Sequence, residues 1–396
     1  MPPSSASSPS PLLGSHLSVA GGMHLAITEA LSLKLDCLQV FTKNQQQWKA
    51  PPLAAEAVTA WRTAVAAAGW NSPTSPRLVS HASYLINLAS PNQELWDKSL
   101  DLMTEEITRC DALGIPLLVS HPGSSTGTPK PEGITRIAQA YRELFKRTAG
   151  CRVISCLEAT VGAGSMIGGT FEELATLRQQ ILDLTGQPDR VGFCIDTCHI
   201  HAAGYALDSA ASTAAIITQM DAAFGLANIR CLHLNDSLAP AASRKDRHAH
   251  ITLGTISRDA WAVILRHPLL GALPAILETP KGDSPSGTPF DAINTELLRA
   301  LTAGREPTLT HAAAATPAPA SAAAPATKSR TQPSRKPTAA AASKPTSKPA
   351  SKAVPAKAKT TVKSSTAAKP KPKAPTKAAK QAAAKATTKP ASDRAR

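Results

Sequence analysis

Apolar residues in the first three hundred positions follow two alternating rhythms. One is short runs: Leu12–Leu17, Cys37–Phe41, Leu78–His81, Pro116–His121, Arg152–Glu158, Val191–Asp196, Ile229–Leu234 and Pro274–Glu278. Segments such as Leu117-Leu118-Val119 and Val153-Ile154 are continuously apolar, as parallel strands covered on both faces are. The other rhythm lies between the runs. In Leu53–Ala68, Gln93–Leu113, Ile134–Thr148 and Phe171–Leu184, apolar residues recur every three or four positions, the period of an amphipathic helix. Thr170 with Glu173 three residues on predicts a capping box at the start of the last of these. Eight strand–helix units predict an α/β fold, a (β/α)8 TIM barrel, with a doubly wound open sheet as the alternative.

Both rhythms stop after Arg305, which divides the chain into a disordered N-terminus (1–10), a barrel domain (11–305) and an Ala/Lys/Pro-rich tail (306–396). From His311 to Arg396 there are 19 Lys/Arg and one acid, Asp393, a formal charge of +18. The whole chain has 43 basic and 28 acidic residues, so the remainder holds 24 and 27 and is mildly acidic. The basic character therefore belongs to the tail. Frequent proline and few apolar side chains predict that the tail is disordered. Seven scattered cysteines with no C-x-x-C pair read as reduced thiols of a cytosolic protein. The N-terminus lacks the basic and apolar regions of a signal peptide, and no run of about 18 apolar residues is present to span a membrane.

The predicted strands end in chemistry. The third ends in His81, the fourth in His121, the fifth in Glu158, the sixth in Asp196 and the eighth in Glu278, while the seventh carries His233. A barrel brings such residues to one mouth, the C-terminal face of its strands. Asp196-Thr197-Cys198-His199 adds a second group past the sixth strand, and Asp246-Arg247-His248 places two on one side of the segment after the seventh. Nine imidazoles and carboxylates exceed what one zinc uses, so a multinuclear Zn²⁺ or Mn²⁺ site is expected. Two or three such metals commonly serve phosphodiester hydrolysis. A lone histidine is more often packed or exposed than ligating, which is the reading for His24, His201, His267 and His311. Cys194 and Cys198 read as packing residues. Gly162-x-Gly164 and Gly168-Gly169 lack the Lys-Ser/Thr partner of a phosphate loop and read as a flexible loop.

At these residues the chain resembles the endonuclease IV family of apurinic/apyrimidinic endonucleases. The matching segments run from Gly14-Ser-His16 through Phe41-Thr-Lys-Asn44, His81-Ala-Ser-Tyr84, His121-Pro-Gly-Ser124, Asp196-Thr-Cys-His199, His233-Leu-Asn-Asp-Ser237 and Asp246-Arg-His248 to Glu278. The resemblance implies three zinc ions per chain. Glu158 would be the bridging carboxylate, with His81, His121, Asp196, His199, His233, Asp246, His248 and Glu278 as further ligands, and Glu158 and Glu278 as catalytic residues. It implies hydroxide attack on phosphorus 5′ to an abasic sugar, leaving a 3′-hydroxyl, and removal of 3′-blocking groups. Tyr84 and Leu85 would wedge into the minor groove, with Lys43, Asn44, Gln46 and Arg247 also meeting DNA. Four positions depart from the family pattern: Gln46 stands for Arg, Ala159 for Asn, and Thr252-Leu253 for Gly-Glu. None is a ligand position.

The expected partner is double-stranded DNA with abasic or 3′-blocked lesions, and the tail is expected to bind DNA nonspecifically by neutralising phosphates. A nucleoid-associated cytoplasmic monomer without an organic cofactor is expected. Two alternatives stand beside the nuclease: a metal-dependent sugar isomerase or epimerase on the same barrel, and a catalytically inactive DNA-binding protein. For an isomerase His199, Asp246 and His248 would be surplus.

Overall fold

The computed structural model describes residues 11–72 and 76–311. The expectations for residues 1–10 and for the tail after His311 lie outside the described residues. The runs form β1 (Leu12–His16), β2 (Cys37–Val40), β3 (Leu78–His81), β4 (Leu117–Ser120), β5 (Ile154–Glu158), β6 (Val191–Asp196) and β7 (Ile229–His233). A two-stranded ribbon follows, β8 (Asp236–Ser237) with β9 (His248–Ala249), and then β10 (Pro274–Leu277). Strands β1–β7 and β10 pair in parallel and close into a barrel. The closing pair sets Leu12 opposite Pro274 and Gly14 opposite Ile276, which excludes the open sheet. Helices α1 (Met23–Ser32), α2 (Ala55–Ala67), α3 (Gln93–Leu113), α4 (Lys130–Arg147), α5 (Phe171–Thr185), α7 (Ala210–Phe224), α8 (Arg258–Arg266) and α9 (Phe290–Ala303) surround it, and α6 (Thr197–Ala203) is a short extra helix after β6. Among the described residues no helix is long and apolar enough to cross a membrane.

Side chains alternate across each strand, so every second residue enters the barrel. One interior layer is apolar and small: Cys37, Val79, Val119, Cys156, Cys194, Cys231 and Ile276, with Gly14 on β1. A Cβ on Gly14 would lie 2.3 Å from the Cys37 carbonyl oxygen, so β1 approaches β2 only as glycine. Two residues further along each strand the next layer is polar throughout: His16, Gln39, His81, His121, Glu158, Asp196, His233 and Glu278. The barrel thus has an apolar floor under a polar mouth. Burial pushes the floor thiols up, Cys37 to about 12, so they remain uncharged packing groups. The larger core lies outside the barrel, where Trp61, Trp261 and Phe193 are buried between strands and helices.

Local signals set the helix ends. Asn92 accepts from Leu95 N to start α3, and Gly114 ends it at φ 72. At α5 Thr170 accepts from Glu173 N at 3.2 Å. The Glu173 carboxylate, however, takes Gly168 N at 2.9 Å and Gly169 N at 3.0 Å, completing the cap on loop glycines. The glycine loop after β5 is therefore pinned rather than free, further tied by Ile167 N to Gly123 O at 2.9 Å. Past Arg305 the chain stays packed against α9: Arg305 and Thr308 bond Glu296, and His311 Nε2 lies 3.1 Å from Asn294 Oδ1.

Candidate metal centre

Glu158, fully buried at the end of β5, is the hub. Its Oε2 lies 3.1 Å from His81 Nε2 and 3.2 Å from His121 Nε2; its Oε1 lies 2.9 Å from His233 Nδ1 and 3.4 Å from His199 Nδ1. The two carboxylate oxygens thus face separate groups of imidazoles. Glu278 Oε2 lies 3.2 Å from the same His233 Nδ1. Asp246 joins His199 Nε2 at 3.2 Å to His248 Nε2 at 3.3 Å, and Asp196 Oδ2 lies 3.6 Å from His248 Nε2. All nine residues singled out in the sequence therefore meet at one mouth.

Hydrogen bonds fix which ring nitrogens are free. A backbone carbonyl only accepts, so His81 Nδ1 donates to Ala82 O at 2.8 Å, His199 Nδ1 to Ala159 O at 3.0 Å and His248 Nδ1 to Glu278 O at 3.1 Å. In each ring the lone pair is left on Nε2. His233 is set by Gln39. The Glu278 carboxylate only accepts, so the Gln39 amide nitrogen faces its Oε1 at 2.7 Å. The Gln39 oxygen then lies 2.9 Å from His233 Nε2, which must donate, leaving the lone pair on Nδ1.

Four imidazole lone pairs consequently point at carboxylate oxygens about 3 Å away. Such pairs repel unless a proton or a cation lies between them. His248 Nε2 is buried without a hydrogen bond despite its 3.3 Å approach to Asp246. Ligands about 2.1 Å from a tetrahedral metal lie about 3.4 Å from one another, in line with these separations. The donor set fits divalent metal, and Glu158, Asp196, Asp246 and Glu278 supply four negative charges to balance it. Among the described residues three thiol-free groups are tight enough to hold an ion, His81 with His121 and Glu158, Glu158 with Asp196, His233 and Glu278, and Asp196 with His199 and His248; two more include a cysteine, Cys194 with Glu158 and His233, and Cys198 with Asp246 and His248.

The electrostatics state the same demand. Burial opposes charge on His233, yet Glu278 and Glu158 hold it well above the ordinary histidine range. Burial would raise Glu158, but the charges of His121 and His233 and hydrogen bonds from His121 and His199 keep it well below the usual carboxylate range. Cys194 and Cys198 come near these groups, but burial pushes both thiols up, Cys198 to about 12.

Three participants escaped the sequence reading. His16 ends β1 with Nδ1 3.5 Å from Glu278 Oε1, and Gln39 bonds His16, Glu278 and His233. Asn235 donates to Asp196 Oδ2 at 2.7 Å and accepts Glu278 N at 2.7 Å. For His16 and Gln39 the signal was present, since each stands two residues after a floor residue. Asn235, in a loop, lies within the His233-Leu-Asn-Asp-Ser237 segment that carries the resemblance. The groups expected at the rim divide. Tyr84 is 60% exposed beside Phe41, its ring centroid 5.3 Å from that of His81, and Leu85 is half-buried. Asn44, Gln46 and Arg247 are exposed. Lys43 is buried, its ammonium donated to Gln47 O and Asn44 O. His201 accepts from Leu207 N, and with His311 on Asn294 serves packing. A cleft of about 720 Å³ opens beside the mouth, lined by His16, Phe41, Asn44, Tyr84, His248 and Lys281 among others.

Residues 27–301 match the family model described as xylose isomerase-like TIM barrel. A probable endonuclease 4 of Chloroflexus aurantiacus is 40% identical over 296 residues, covering 75% of this chain and all of that protein. The chain belongs to the endonuclease IV family. Another member, the probable endonuclease 4 of Trichlorobacter lovleyi, is 39% identical over 73% of this chain and 99% of its own length. The crystal structure of endonuclease IV from Thermus thermophilus superposes with a TM-score of 0.63 at 34% identity, covering 74% of this chain and 100% of that one.

Proposed function

We propose that this protein is a zinc-dependent DNA-repair endonuclease that hydrolyses the phosphodiester 5′ to abasic sites, leaves a 3′-hydroxyl and removes 3′-blocking groups. The observation that carries the reading is the set of tautomer-locked imidazoles facing four carboxylates, in a chain whose relatives are named endonuclease 4. Three zinc ions would be held by His81, His121, Glu158, Asp196, His199, His233, Asp246, His248 and Glu278. Zinc there supplies positive charge to the phosphate and acidifies water at neutral pH. The chain's own part is orientation. Glu158 faces one group of imidazoles with each oxygen, and Gln39 and Asn235 hold Glu278 and Asp196 in place. Tyr84 presents an exposed ring at the rim, suited to wedge into a duplex at the lesion together with Leu85. Asn44, Gln46 and Arg247 would meet the DNA backbone. Residues 311–396, at +18, would hold DNA nonspecifically beside a mildly acidic monomeric barrel, keeping the enzyme on the nucleoid.

The epimerase reading finds a barrel of the same shape in a D-tagatose 3-epimerase-like protein, TM-score 0.53 at 16% identity, a likeness of fold alone. The group formed by His199, Asp246 and His248 favours the nuclease, because proton transfer on a sugar needs fewer ligands. The test is incision of a duplex carrying one synthetic abasic site, with and without chelator, beside Glu158→Gln. Cutting 5′ to the lesion that vanishes under both treatments is the expected result. A folded, zinc-loaded protein that leaves the duplex intact would overturn the proposal.

A further inference from the structure

Glu106, on the barrel-facing side of α3, is a carboxylate only 1% exposed and outside the metal centre. Its two oxygens serve two different rim loops. Oε2 accepts the Thr42 hydroxyl at 2.9 Å, in the loop after β2, and Oε1 accepts Ser83 N at 3.3 Å, in the loop after β3. The neighbouring turn of α3 adds Arg109, whose guanidinium donates to Thr42 O at 2.6 Å and to Pro51 O at 3.0 Å. The loops are also tied directly, Ser83 Oγ donating to Gln45 O at 2.6 Å, and Phe41 meets Tyr84 edge-on at 5.7 Å between centroids. One loop carries Asn44 and Gln46; the other carries Tyr84 and Leu85. A buried carboxylate is costly unless its oxygens are hydrogen-bonded, and here one donor comes from each loop.

We propose that Glu106 is a positioning residue for DNA: it clamps the loop after β2 to the loop after β3, fixing the aromatic wedge relative to the backbone-contacting loop before DNA arrives. The inference rests on the nuclease reading above. Preorganised loops do not have to be ordered during binding, so the clamp acts on affinity rather than on the chemical step. Among the described residues its carboxylate hydrogen-bonds within these two loops and to none of the nine metal-centre residues.

The test uses the full-length, zinc-loaded protein with Glu106→Ala, Glu106→Gln and Thr42→Val. Dissociation constants for an abasic duplex are read by fluorescence anisotropy, and KM and kcat by incision. Glu106→Ala should raise both Kd and KM at least about tenfold, with kcat within about threefold of wild type. Glu106→Gln keeps one acceptor oxygen and should fall between. Thr42→Val removes one hydroxyl and should raise Kd by a smaller factor; it carries the test should Glu106→Ala fail to fold. Variants with a lowered melting temperature but unchanged Kd and KM would overturn the clamp, making Glu106 a stabilising residue only. A wild type that neither binds nor cuts the abasic duplex would overturn the nuclease reading and the clamp together, so the two failures are distinct.

Discussion

Gln39→Met is the most informative perturbation of the centre, because Gln39 is not itself one of the nine ligands yet fixes two of them. Methionine is unbranched, similar in length and apolar, so it fills the site without a new charge. The substitution leaves His233 Nε2–H, now 2.9 Å from the Gln39 oxygen, as an unpaired buried donor costing about 1–3 kcal/mol. His233 can relieve that cost by moving its proton to Nδ1, the atom facing Glu158 and Glu278, which removes it as a ligand. Glu278 Oε1 at the same time loses a donor at 2.7 Å. Partners of this kind typically contribute about 10–100-fold in metal affinity. At 1.36 kcal/mol per decade that is about 1.4–2.7 kcal/mol, within the range of one unpaired donor. Competition against a chromophoric zinc chelator, with metal per chain measured after dialysis, reads the effect. One zinc should be lost at chelator concentrations about 10–100-fold lower than for wild type, the others being retained longer. Equal zinc retention and unchanged incision would refute the tautomer argument. Gln39→Glu separates the two contacts: it still accepts from His233 but sets a second negative charge beside Glu278.

Other outcomes follow from single features. Thr252 is β-branched at φ 69, a region that favours glycine, so Thr252→Gly should stabilise the barrel by about 0.5–1 kcal/mol in denaturant unfolding; unchanged or lower stability would contradict the strain. Glu296 is held down at about 2, chiefly by the Arg305 hydrogen bond. Its contribution is therefore complete above its ordinary value of 4.5 and lost as pH falls through about 2; Glu296→Gln should lower the melting temperature at pH 7 and far less at pH 2, and equal effects at both would refute it. Truncation after His311 removes the tail yet keeps the packed segment on α9, and should weaken DNA binding and flatten its salt dependence while leaving the saturated single-turnover rate unchanged. A large fall in that rate would count against tethering.

Much of the fold was legible because barrel strands need only local signals: apolar runs, and a cap such as Thr170. The ligands were legible for a related reason. Alternation along a strand makes the residue two beyond a floor position point into the mouth, so Cys156 announces Glu158 and Cys231 announces His233. The same rule reaches His16 from Gly14 and Gln39 from Cys37, but Gln39 is neither an imidazole nor a carboxylate and draws no notice by itself. What stayed hidden acts across long sequence separations. Glu106 meets Thr42 across 64 residues, and Gln39 meets His233 across 194. Nothing local shows that the loop at Lys43, a residue expected to meet DNA, folds back to cap its ammonium with Gln47 O.

The departures from the family pattern fall where the main chain, rather than the side chain, makes the contact. At position 159 the carbonyl fixes His199, and it does so equally from alanine. At position 46 the amide bonds Asn44 Oδ1, leaving the exposed glutamine side chain free to vary. In the loop at 252–256, Asp236 gathers Gly254 N at 3.0 Å and Ile256 N at 3.0 Å, while Leu253 stands 48% exposed. A Cβ at Gly254 would fall 2.3 Å from Asp236 Oδ1, so glycine is kept at that position although the two residues before it have changed. Drift of this kind can alter DNA grip at the rim without moving a donor atom of the nine-residue centre. Any loss of efficiency should accordingly appear in KM before kcat, and Gln46→Arg should lower KM without changing zinc content.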